Sequence, residues 1–267
     1  MNLEYKYLKI KRANHIAMVI FNRPEKLNTL SIDFMSEIII AVREFNNDEQ
    51  TRVVIFTGAG ENFSCGVDLT DPELMDGISS GTRLMKNRFL KQGPKMIREI
   101  YEMSQITIAA VNGVAIGGGA CIAAACDFRI GADDCKIGYP EINLGMNLSW
   151  KALPMCVNLI GPVRAKQMVI LGKKEEASTL LDWRFLDKTV PSKDLLSAAD
   201  KMAQEYAAKA PLAAQMIKQS VNAISSAMDQ AIMHMDGDQY QLTTDSNDFK
   251  EGVHAFFDKR TPEFKGD

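Results

Sequence analysis

The sequence predicts an α/β core containing parallel strands, followed by a helical C-terminal region. Three observations predict it. Apolar, β-rich runs alternate with helical stretches through the first half. From about Trp150 onward the pattern turns almost wholly helical and rich in Ala, Met, Lys and Gln. The length, 267 residues, suits one large α/β domain, or one domain plus a small helical appendage, rather than two equal domains.

The elements follow in order. HIAMVIF (15–21) is a strand, 32–45 has helical spacing, and TRVVIFT (51–57) is a buried strand ending at Gly58. After a polar loop come a helical stretch at 82–103 and a further strand, ITIAAVNG (106–113). A glycine run then opens a helix at 120–126, followed by DFRIGA (127–132). Alternating strand and helix implies parallel strands covered by helices. Helices are expected near 165–170, 195–209, 212–235 and 246–257, which divides the chain into a core at 1–200 and a helical region at 201–267.

Composition excludes several classes of partner. A net charge of -3, from 31 basic against 34 acidic side chains, makes no field that would gather nucleic acid or an anionic membrane. The longest apolar candidate, 106–125, is broken by Asn112 and four glycines, so no membrane span is expected. The opening residues alternate charged and apolar side chains, unlike a signal or transit peptide. Five cysteines, Cys65, Cys121, Cys126, Cys135 and Cys156, have neither metal-ligand pairing nor disulfide-scaffold density. A reducing cytoplasm and no metal are the expectation.

The densest chemical signal is IAAVNGVAIGGGA (108–120), where a buried strand ends, turns, and leads through three glycines into a helix. Glycine lets backbone approach a ligand, and N–H groups at a helix start are unpaired donors. A lone glycine triplet more often serves close packing, so a second element is required. FSCGVDL (63–69) supplies it: a glycine turn after the strand 51–57, at the carboxyl end where ligands of parallel sheets gather. Two backbone donors from two turns can converge on one oxygen.

FSCGVDL, IAAVNGVAIGGGACIAAACDFRIG and IGYPEINLG together resemble three blocks of the crotonase, or enoyl-CoA hydratase/isomerase, superfamily. The likeness runs from FNRPEKLNTL (21–30) to HAFFDKRTPEFKG (254–266). It implies a crotonase-like fold of repeated ββα units in packed sheets, and a C-terminal region used for trimerisation, with trimers often paired into hexamers. It implies an acyl-CoA thioester as substrate, with coenzyme A carried by the substrate and no separate cofactor. The oxyanion-hole amides fall on Val67 and Gly118. Lys26, Leu27, Cys65, Val67 and Leu69 fall along coenzyme A, and Phe264 and Lys265 on a tail that reaches a neighbouring subunit's adenine.

Of the two glutamates that hydratases of this family look to use, the second maps onto Glu141, in GYPEINLG. The first position is occupied by Cys121, whose neighbours Ala120, Ile122 and Ala123 supply no charge to activate a thiol. Past Gly145 this chain reads MNLSWK where the family commonly has a glycine-rich helix start. Met146 and Trp150 are therefore expected to make a bulky substrate pocket, with Asn147 and Ser149 as its polar groups. One carboxylate suffices to move a double bond from the 3,4 to the 2,3 position, whereas hydration favours two. Enoyl-CoA isomerisation with Glu141 as base is thus the leading expectation. The alternatives are an enoyl-CoA hydratase, a hydrolase or decarboxylase on the same scaffold, and a catalytically weak acyl-CoA-binding subunit. His15, His234 and His254 all lie outside the glycine-turn blocks, which argues against a Ser-His or Cys-His hydrolase.

Overall fold

The computed structural model describes residues 4–73 and 82–267. Strands β1 (Leu8–Ala13) and β2 (Ile16–Phe21) form an antiparallel hairpin in which Leu8 faces Phe21. The sequence reading missed β1 because it is mostly exposed, so charge masks its alternation. Helix α1 (Ile32–Asn46) starts where the Ser31 hydroxyl accepts the Phe34 N–H at 3.2 Å, and it buries Phe34, Met35, Ile38, Val42 and Phe45. β3 (Val53–Gly58) pairs in parallel with β2.

The expected single helix at 82–103 is two, α2 (Arg83–Phe89) and α3 (Gln92–Tyr101). Pro94 explains the break: it has no N–H to give Leu90, and its ring crowds that carbonyl, so the chain must begin a new helix. β4 (Ile106–Val111), β5 (Val114–Ile116), α4 (Gly118–Ala125), β6 (Phe128–Ala132) and β7 (Lys136–Gly138) follow, then a 3₁₀ turn at Pro140–Leu144. Beyond it lie α5 (Ala152–Leu171), β8 (Lys174–Glu176), α6 (Ala177–Asp182), β9 (Lys188–Val190) and α7 (Leu195–Ala207). Four helices close the chain: α8 (Pro211–Ser225), α9 (Gln230–Met233), α10 (Asp236–Thr244) and α11 (Asn247–Asp258). The helix expected at 212–235 is therefore interrupted, and that expected at 165–170 is the end of a longer one kinked at Gly161 and Pro162.

One sheet has the order β1-β2-β3-β4-β6-β9 and is parallel except for β1; the second has the order β5-β7-β8. β7, β8 and β9 are three residues long, too short to show a period in sequence. Asn112 splints the ends of β3 and β4. Its Oδ1 accepts the Gly58 N–H at 3.0 Å and its amide donates to the Gly58 and Gly60 carbonyls. The 63–68 segment is then tied to β5, with Ser64 N–H donating to Val114 O and Ile116 N–H to Ser64 O, both at 3.1 Å. Both glycine turns are thereby held side by side.

Helix α4 is buried over its whole length, as its all-round apolar sequence requires. The C-terminal helices dock on this core partly through Lys218 of α8. Its ammonium lies 2.7 Å from Asp127 and donates to the Gln105 carbonyl at 2.7 Å, so a buried charge is paired and hydrogen-bonded. No helix among the described residues is long and apolar enough to cross a membrane.

Candidate active site

The two glycine turns meet at Gly66 and Gly118. Gly66 has φ +82°, a conformation side chains rarely adopt, and a Cβ there would sit 2.9 Å from Ile116 O and 3.5 Å from Gly118 N. Leu30 uses the 66 carbonyl and the 68 amide, at 2.7 and 3.1 Å, so the intervening Val67 N–H points to the other side. Gly118 opens α4 and has no preceding turn to bond to. Neither amide has an acceptor in the chain among the described residues. Both border one cavity of about 110 Å³, which is also lined by Cys121, Glu141, Ser149, Trp150, Asp236 and Tyr240.

Glu141 is set by the 3₁₀ turn that Pro140 begins, and Gly117, at φ +53°, clears space for it: a Cβ at 117 would lie 3.2 Å from Glu141 Oε1. The residue keeps some exposed surface, but its Oε2 is sealed and has no hydrogen-bond partner. Burial raises its carboxyl to about 7, since the charged form is the one that loses solvent.

Cys121 is buried behind Gly118, and its thiol is pushed well above the ordinary range by burial first and then by the charges of Glu141 and Asp236. A thiol so disfavoured as thiolate is neither nucleophile nor base near neutral pH. Cys121→Ala is accordingly expected to lower kcat/KM by less than about tenfold, or ~1.4 kcal/mol of barrier; a loss of several orders of magnitude in steady-state assays would revive a thiol role.

Of the pocket residues expected from sequence, Cys121, Ser149 and Trp150 line the cavity, whereas Met146 and Asn147 do not. The correction for Asn147 has a plain cause. Its side chain donates to Gln239 Oε1 at 3.0 Å and its N–H to Thr243 Oγ1 at 3.2 Å, so its polar groups are spent on α10. The Met146 N–H donates to the Glu141 carbonyl at 3.1 Å. Lys26, Leu27 and Cys65 lie close together: Cys65 N–H donates to Leu27 O at 3.0 Å, and Lys26 Nζ reaches Thr70 Oγ1 at 3.5 Å. Val67 and Leu69 line the cavity. Phe264 and Lys265 lie elsewhere, on a tail folded over the chain's own α11, with the Lys265 N–H held by Asp248 at 2.7 Å.

Sequence reasoning missed Asp236 and Tyr240 of α10 and the Gly93 backbone of α3. Asp236 is buried, its carboxyl raised by burial and relieved by N–H bonds from Lys151 and Trp150. Burial raises Tyr240 to about 12, with the charge of Glu141 adding to it. An acidic residue at the start of a polar helix reads in sequence as a solvated cap, so only its burial reveals it.

The enoyl-CoA hydratase/isomerase family profile matches residues 11–267. A crotonyl-CoA hydratase of Syntrophomonas wolfei is 32% identical over 264 residues, covering 98% of this chain and 99% of that protein. A mitochondrial Delta(3,5)-Delta(2,4)-dienoyl-CoA isomerase of Dictyostelium discoideum is 28% identical, covering 98% and 92%. The crystal structure of an enoyl-CoA hydratase from Mycobacterium avium subsp. paratuberculosis superposes with a TM-score of 0.86 at 24% identity, covering 98% of this chain and 100% of that one, and shares the fold. With the glycine turns, the buried glutamate and a match across nearly its whole length, the chain belongs to the enoyl-CoA hydratase/isomerase family.

Proposed function

We propose that the chain isomerises an enoyl-CoA thioester, with Glu141 as the base and the Val67 and Gly118 amides holding the thioester oxygen. Glu141 carries the reading: a carboxylate at the cavity wall, with one sealed and unpartnered oxygen and a proton affinity near neutrality. Glu141 takes a proton from C2 of the 3-enoyl thioester. The electron pair spreads onto the thioester oxygen, where two N–H donors stabilise it, and the same proton returns at C4 as the double bond settles between C2 and C3. No atom is gained or lost, and no redox group is called for.

The one-base reading is supported by Asp236, the second carboxylate in the cavity, being engaged by the Lys151 N–H at 3.1 Å. Hydration is the second reading, favoured by the crotonyl-CoA hydratase among the relatives. A weak binding subunit would be supported by a Glu141 locked in an ion pair; Glu141 has none among the described residues. Assayed side by side, a 3-enoyl-CoA should turn over at least about tenfold faster than crotonyl-CoA is hydrated, roughly 1.4 kcal/mol. In the free enzyme kcat/KM should rise with pH through about 7 as Glu141 loses its proton. Equal rates on both substrates would sink the one-base reading.

Coenzyme A is proposed to lie along Lys26, Leu27, Cys65 and Leu69. Assembly as a trimer or a pair of trimers in the cytoplasm is proposed with it, and Phe264 and Lys265 would then serve a neighbouring subunit. Support comes from the exposed apolar side chains Leu212, Met216, Val221 and Ile224 on α8, beside a cleft of about 600 Å³ that shares no lining residue with the Glu141 cavity.

A further inference from the structure

We infer that Trp150 forms the end wall of the acyl site and restricts this chain to short acyl groups, and that Asp236 is the positioning residue that keeps the indole there; this rests on the acyl-CoA reading above. Four observations carry it. Trp150 and Lys151 are consecutive non-glycine residues with φ +64° and +60°, a strained conformation that persists only where the surroundings impose it. The imposing group is the buried Asp236 carboxylate, whose Oδ2 accepts the Lys151 N–H at 3.1 Å and which also takes the Trp150 N–H.

Second, the indole sits in a slot that two glycines open. A Cβ at Gly93 would overlap the six-membered ring and the ring nitrogen, and one at Gly118 would stand 2.5 Å from Cζ3 and 3.0 Å from Cη2. Gly93 stands in the first turn of α3, where alanine would make the better helix, so its place there is explained by the ring it admits. Third, the six-membered ring of the indole is packed against Gly118, the residue whose amide is proposed to bind the thioester oxygen, so an acyl chain leaving that oxygen meets the ring within a few atoms. Fourth, the cavity left beside the ring is about 110 Å³, below the roughly 300–1,000 Å³ of sites that enclose larger ligands.

The ligand class that follows is a short-chain acyl-CoA, and the inference makes a graded statement about length. Where a site can receive it, each added methylene tightens binding about fourfold. In this chain that gain should stop at about four to six carbons.

The test is isothermal titration with free CoA and with butyryl-, hexanoyl-, octanoyl- and decanoyl-CoA. These are saturated thioesters that neither isomerise nor hydrate, so the outcome is independent of which reaction the chain performs. The wild type should gain from CoA to butyryl-CoA and then stay flat or weaken. Trp150→Ala should tighten octanoyl-CoA relative to butyryl-CoA by at least about tenfold. Trp150→Phe, keeping a smaller ring, should fall between.

Asp236→Ala should extend the chain-length profile in the same direction. In a Trp183→Phe background, where Trp150 is the one remaining tryptophan of the two in the chain, it should also red-shift the emission, with Asp236→Asn restoring much of both. A wild type that tightens about fourfold per methylene out to decanoyl-CoA overturns the inference, as does a Trp150→Ala variant with an unchanged profile. Short-chain binding without turnover of either enoyl-CoA leaves the wall in place and removes the isomerase reading instead. Failure to bind any acyl-CoA more tightly than CoA overturns both.

Discussion

Glu141→Gln is expected to lower kcat by about 10²–10⁴-fold while acyl-CoA dissociation constants stay within about threefold, because in the proposed mechanism the amides and the coenzyme surface hold the ligand and only the proton transfer is lost. The same substitution has a stability signature with a definite sign. The glutamate's proton affinity in the folded chain, about 7, lies above its ordinary value of 4.5. Below the lower value both folded and unfolded chains are protonated there. Between the two the folded chain holds the proton and the unfolded chain has lost it, so stability falls as pH rises. Above about 7 the cost is complete, up to about 3 kcal/mol. Glutamine removes this dependence, so the variant should be more stable than the wild type at pH 8 and nearly equal to it at pH 4. Thermal melts at both values check this; parallel curves for the two proteins would show that Glu141 is not held neutral by burial.

Gly119→Ala is expected to damage both folding and catalysis. Its Cβ would overlap the Ser64 carbonyl and stand 2.9 Å from Ser64 Cβ, and Ser64 is itself locked to β5 and to the Asn28 carbonyl. Neither side can yield cheaply, so α4 must move off the 63–68 segment, separating the two amides. Overpacking of this kind costs about 1–3 kcal/mol, and at roughly 2–4 °C per kcal/mol a melting temperature lower by several degrees is expected. In the proposed mechanism, displacing one oxyanion donor costs a further loss of about 10²–10³-fold in kcat. An alanine variant with wild-type kcat would show that the amides at Val67 and Gly118 are not the groups that stabilise the transition state.

Several elements were legible before any fold was seen. β2, β3, β4 and α1 announced themselves because buried elements must carry continuous or periodic apolar residues. Helix α4 did so as well, through glycines that no exposed helix would begin with. The elements that escaped are those whose sequences answer to other demands: β1 is exposed, β7 to β9 are three residues long, and the split between α2 and α3 hangs on Pro94 alone. Asn147 shows the limit for single residues. Beside Trp150 in the chain it reads as a substrate contact, yet its amide bonds Gln239, 92 positions away.

The sequence by itself determined the family, the two glycine turns and the glutamate at 141, because backbone donors, left-handed turns and a carboxylate after proline each demand a particular residue type at a particular spacing. Only the tertiary structure decided what surrounds Glu141. The Trp150–Lys151 conformation, the glycine slot at 93 and 118 and the buried Asp236 come from α3, α4, α10 and the loop before α5, segments far apart in the chain. Their meeting is set by packing and by removal from water. A carboxylate's proton affinity, a tryptophan's strained turn and the size of a cavity are properties of that shared interior rather than of any one segment.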